Sequence, residues 1–167
     1  RNFLSLSMPT DSDLRRSNRY RAIFIRPESE AIDAFGSLLA CEEAASREHS
    51  STALYYALSS TVGVSSPRVL VLDAPRPHRV KDGRTVYQRL GSYSRRTQTV
   101  RVHNLTARIG RPVAPKTFAE TVLHELLHHW DFELLNLARS LHTSGFYHRL
   151  GDLKQKLNAG LTGPTGG

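Results

Sequence analysis

Apolar positions change their period twice along the chain, and the changes divide it into elements. Ile32, Phe35, Leu38 and Leu39 recur at helical spacing and predict a helix over residues 29–46; Leu54, Tyr55 and Leu58 predict a second over 50–60. The run Arg68-Val-Leu-Val-Leu72 then reads as a short strand, closed by a loop containing Pro75 and Pro77. Asp82-Gly83 is a turn signal ahead of an alternating stretch at 85–90, and residues 91–96 read as another turn. Alternation returns at 97–103, with Gln98, Val100 and Val102 on one face. The middle of the chain is therefore expected to form a small mixed or antiparallel sheet of about three strands.

The helical period comes back after Pro112 and Pro115. Thr117 and Glu120 have the form of a capping box, followed by the strongest helical pattern of the chain, over 118–139. Ala119, Val122, Leu123, Leu126, Leu127, Trp130, Leu134 and Leu137 fall in one arc of that helix and predict its core face. A last helix is expected from Ser144 to near Leu157. Residues 1–20, with Arg15, Arg16 and Arg19, read as a flexible basic arm, and 158–167 as a flexible Gly-rich tail, leaving one folded domain over 21–157. The expected class is α+β.

Composition narrows the class. The chain has 167 residues, 39% of them hydrophobic and 23% charged, which suits one globular core and excludes a disordered chain. No apolar run approaches the ~18 residues of a membrane span, and residues 1–8 lack the apolar centre of a signal peptide. A single cysteine, Cys41, excludes a disulfide framework and any multi-cysteine zinc site. These features predict a cytoplasmic protein with no membrane partner, read by default as a monomer.

Charge is unevenly placed. Net charge is +8, yet residues 68–116 hold 12 of the 23 basic residues and only the acids Asp73 and Asp82. Such a block fits a polyanion such as DNA as well as a solvated surface. Arg84, Arg89, Arg95, Arg96 and Arg101 are the candidate nucleic-acid contacts.

The chemistry lies in the strong helix, as His124-Glu-Leu-Leu-His128. Histidines four apart leave a helix on one face and can share one zinc ion, and Glu125 beside them can act as general base towards an attacking water. A catalytic zinc needs a third protein ligand and an open position. His129 is turned about 100° from His128. Glu133 lies on another arc, and the spacing of a third histidine six residues on is occupied by Leu134. Asp131 shares the ligand face but lies about two turns from His124, so it suits an acceptor that orients a ligand histidine. His142 and His148 lie beyond the helix; a short connection could fold His142 back over the metal.

The ordered features His124-Glu-x-x-His128, then thirteen residues, then His142, Phe146 four residues after that, and Leu90-Gly-Ser-Tyr93 before the 97–103 strand resemble the SprT-like metalloprotease family, which includes Spartan. The resemblance covers about residues 29–157. It implies a minimal zincin-like domain binding Zn²⁺ through His124, His128 and His142, with Glu125 catalytic, and a protein substrate attached to DNA. The family's C-terminal zinc ribbon has no counterpart here. In this reading the 97–103 strand is an edge strand that walls the cleft and pairs with an extended substrate. Tyr147 and His148 could stabilise the oxyanion, although Tyr147 reads better as a packing residue. The competing readings are a nucleic-acid-binding module with a structural metal and an effector protease with one narrow target.

Overall fold

The structure, a computed structural model, describes residues 8–163. It is a mixed α+β fold of five helices and a three-stranded mixed sheet. The helices are α1 (Asp11–Arg19), α2 (Ser29–Leu39), α3 (Ala44–Val62), α4 (Pro115–Glu133) and α5 (Ser144–Thr162). The strands are β1 (Arg68–Pro75), β2 (His78–Lys81), β3 (Arg84–Gln88), β4 (Gly91–Ser94) and β5 (Thr99–Leu105).

The sheet runs in the order β1-β5-β4, while β2 and β3 form a separate hairpin. β1 lies parallel to β5 and β4 antiparallel to it. Val69 is paired with Val100 and Val71 with Val102, so four valines share one buried face. That face meets the helices in a single core with Leu54, Leu58, Leu123, Leu126, Leu127 and Trp130. The opposite face carries the exposed Arg101. Among the described residues no helix is long and apolar enough to cross a membrane.

Several boundaries differ from the sequence reading, each for a local reason. The expected basic arm contains α1, capped by a reciprocal Thr10–Asp13 box; residues 1–7 lie outside the described residues. The helix expected over 29–46 is interrupted after Leu39, and α3 ends on Gly63 at φ 78°, a left-handed C-cap. The turn expected at 91–96 contains β4. β5 is consequently the central strand rather than the edge, and β4 is the edge.

α4 starts at Pro115, whose missing N–H and fixed φ suit the first helical position. The Thr117–Glu120 capping box therefore does not form: Ala114 is the N-cap, and Glu120 instead pairs with Lys154 at 2.8 Å. α4 also stops at Glu133 instead of continuing to 139. Asn136 adopts φ 52°, and the amides of Leu134 and Leu135 both return to the Trp130 carbonyl. This reversal turns the chain back towards the helix. α5 begins at Ser144, as its Thr143 N-cap requires, and runs through 158–162 of the expected tail; residues 164–167 lie outside the described residues.

Candidate metal centre

His124 and His128 project from one face of α4, and the reversal after Glu133 brings His142 to them. The three Nε2 atoms form a near-equilateral triangle: His124–His142 3.0 Å, His128–His142 3.0 Å and His124–His128 3.2 Å. Neutral imidazoles cannot satisfy three mutual N–H···N bonds, since each Nε2 carries either a proton or a lone pair and three atoms in a ring cannot alternate donor with acceptor. Three Nε2 atoms gathered this closely are instead a ligand set for one small divalent cation with bonds of about 2 Å. The residues present fit such an ion.

Burial suits them to that task. Desolvation, reinforced by the neighbouring imidazoles, lowers His124 to about 4 and His128 to about 3, and burial also lowers His142. The rings are thus neutral, with lone pairs available, at physiological pH. Phe146 closes the site from below. Its fully buried ring lies 4.9 Å from His124, 4.8 Å from His128 and 5.3 Å from His142 between centroids.

A hydrogen-bond relay orients one ligand. The Nδ1–H of His128 donates to Ser140 Oγ at 2.6 Å, and Ser140 donates to Asp131 Oδ2 at 2.7 Å. The relay assigns the N–H of His128 to Nδ1 and leaves the Nε2 lone pair for a metal. Burial pushes the Asp131 carboxyl up to about 6 against the pull of Arg149 and Ser140, so it stays ionised at neutral pH. Arg149 reaches it at 3.0 Å in a fully buried pair. Asp131, expected as an acceptor that orients a ligand histidine, is therefore connected to His128 through Ser140, which the sequence pattern did not single out.

Glu125 is buried beside the histidines, and that burial raises its carboxyl to about 7. β4 passes directly over it: a Cβ at Gly91 would lie 3.1 Å from Glu125 Oε1 and 3.1 Å from Thr121. A side chain here would require Glu125 or Thr121 to give by a few tenths of an ångström, so glycine suits this close approach. Glu125, the three histidines and β4 together line a cleft of about 870 Å³.

The other candidates are distributed as follows. His129 turns away, as expected: its Nε2–H donates to the Ser65 carbonyl at 2.8 Å, and its Nδ1 accepts from the Tyr93 hydroxyl at 2.8 Å. Glu133 accepts from Gln98, and His148 contacts Arg21; neither joins the cluster. Tyr147 sets its ring edge-on to Phe146, centroids 5.6 Å apart. It is 52% exposed and lines the cleft, with its ring centroid 6.0 Å from that of His142. Of the five arginines considered for nucleic acid, Arg89 and Arg95 line the cleft. Arg96 lies in the turn after β4, Arg101 on the exposed sheet face and Arg84 on the separate hairpin. Phe132 and Gly91 also line the cleft and were not anticipated there.

Comparison of the chain with protein-family models, with curated proteins and with solved structures finds no significant match.

Proposed function

We propose that this protein is a zinc-dependent endopeptidase of the SprT-like, zincin-like type, in which Zn²⁺ is held by His124, His128 and His142. One observation carries the reading: the three Nε2 atoms meet beside a buried glutamate in a cleft bounded by a sheet edge. A structural metal site needs ligands but neither a base nor an open approach. Three imidazoles favour zinc over harder cations, which select oxygen ligands.

When bound, the zinc would polarise the scissile carbonyl and acidify water at the site. The chain's own residues supply the rest. β4 offers an extended substrate a backbone edge to pair with, a role expected of the 97–103 strand before β5 proved central. Glu125 takes the proton of the attacking water at its carboxylate and returns it to the leaving amine. His128 is kept in its ligating tautomer by Ser140 and Asp131. Tyr147 borders the cleft near His142 and is the side-chain hydroxyl best situated to approach the substrate oxygen.

The test is proteolysis by the zinc-loaded chain compared with Glu125→Gln, using an unfolded protein substrate with and without single-stranded DNA. Fragments from wild type alone support the peptidase, and stimulation by DNA would extend it to DNA-attached proteins. Bound zinc with no cleavage of any substrate would favour the module with a structural metal.

A further inference from the structure

The cleft carries an excess of positive charge, and that charge is arranged along its edge strand. Arg89 stands two residues before β4 and Arg95 immediately after it, so the two guanidinium groups mark the strand's ends. Lys116 joins them from the first turn of α4. All three are exposed. Against them the lining holds two carboxylates, Glu120 and Glu125. Glu120 is already paired with Lys154 of α5 at 2.8 Å, and Glu125 is the base of the proposed reaction.

Arg95 is also held in place. Its guanidinium lies 4.2 Å above the Phe132 ring, and Phe132 stacks on Tyr93 of the edge strand. A stacked guanidinium keeps its N–H edge free for bidentate pairing with a carboxylate.

Gly91 shows where along the strand the reaction centre falls, because its Cβ position is 3.1 Å from Glu125 Oε1. Arg89 is two residues from that point in one direction and Arg95 four residues in the other. At the rise of an extended chain these offsets are roughly 7 and 13 Å.

We propose that the cleft selects extended peptides with acidic side chains on both sides of the cleaved bond. One lies about two residues away, facing Arg89 and Lys116, and another about four residues away, facing Arg95. This preference rests on the peptidase reading and names its substrate class. A peptide is favoured over a nucleic acid because the cations flank a strand edge, whose alternating donors and acceptors match a peptide backbone.

The experiment uses the full-length Glu125→Gln chain loaded with zinc, so that binding is read without turnover. Fluorescent peptides of about ten residues share one scaffold and carry Glu, Gln or Lys at the two positions. Anisotropy titrations are run at about 0.15 M salt, and a short oligo-deoxythymidine serves as competitor. The Glu peptide is expected to bind at least about ten-fold tighter than the Gln peptide, with the Lys peptide weakest. The preference is expected to disappear in Arg89→Gln/Arg95→Gln with an unchanged melting midpoint. Equal affinities for Glu and Gln peptides overturn the proposal, as does a preference that survives the double substitution. DNA that binds more tightly than the acidic peptide, with the same dependence on Arg89 and Arg95, overturns it in favour of a nucleic-acid cleft. Wild type that cleaves without charge preference loses only the acidic specificity; wild type that cleaves nothing loses the peptidase reading.

Discussion

At the scale of single residues, the proposed reaction separates groups that would act on substrate from groups that hold them. Glu125→Gln keeps shape and removes the base, so it is expected to retain zinc stoichiometry while cleavage falls about 10²–10⁴-fold, the usual worth of a general base. Metal analysis alongside the fragment assay checks both halves. Ser140→Ala tests the relay: with His128 Nδ1 no longer held, zinc affinity should fall about 10–100-fold with little change in stability, read by competition with a chromophoric chelator. Asp131→Ala is different in kind. It strands the fully buried Arg149 and should lower stability by about 3–5 kcal/mol in denaturant unfolding. The grouping of His124, Glu125, His128 and Asp131 was legible because helical spacing alone fixes how they lie relative to one another on α4. It did not disclose Ser140 or Gly91, whose relevance depends on a chain reversal and a strand crossing that no local pattern encodes.

At the scale of elements, α1 does more than an arm would. Arg149 donates to the Ser17 carbonyl at 2.7 Å and the Tyr20 carbonyl at 2.6 Å while its other amino group holds Asp131. The Ser17 hydroxyl meets that of Thr143 at 2.7 Å, and Asn18 Oδ1 accepts from the Gly145 amide at 2.8 Å. α1 sits so close that a Cβ at Gly145 would lie 2.6 Å from the Ser17 carbonyl. The helix therefore braces the start of α5, next to His142. Asn18→Ala is expected to weaken zinc binding several-fold and speed amide exchange at 142–146, leaving exchange in β1 and β5 unchanged; hydrogen exchange by mass spectrometry measures all three. α1 escaped the pattern reading because it docks by hydrogen bonds, and its one buried residue is Ser17. β4 escaped because Gly91-Ser-Tyr-Ser94 has turn-like composition and becomes a strand only by pairing with β5.

At the scale of the whole molecule, the core meets the candidate metal centre at Phe146, while most of it packs away from the histidines. The buried valines of β1 and β5 and the leucines of α3 and α4 pack without help from the histidines. Chelation should therefore leave far-UV circular dichroism nearly unchanged, unlike a zinc finger, which unfolds. Free zinc at 1,000 times its dissociation constant should add about 4 kcal/mol, raising the melting midpoint by roughly 10 °C. The fold class and the strong helices were legible because long amphipathic patterns survive any tertiary arrangement. Strand order was not, since β1, β4 and β5 compete for the same partners and only the assembled sheet decides which is central. The Tyr93–His129–Ser65 chain has a mechanical consequence. It bolts the edge strand, the ligand helix and the segment after α3 into one jaw, so the gap between β4 and the histidines works as a fixed gauge. Any give must come from the facing jaw, the 134–143 connection and α5 with Tyr147. On the proposed peptidase reading, such a vice is expected to admit one extended strand and turn away a folded domain without needing a lid.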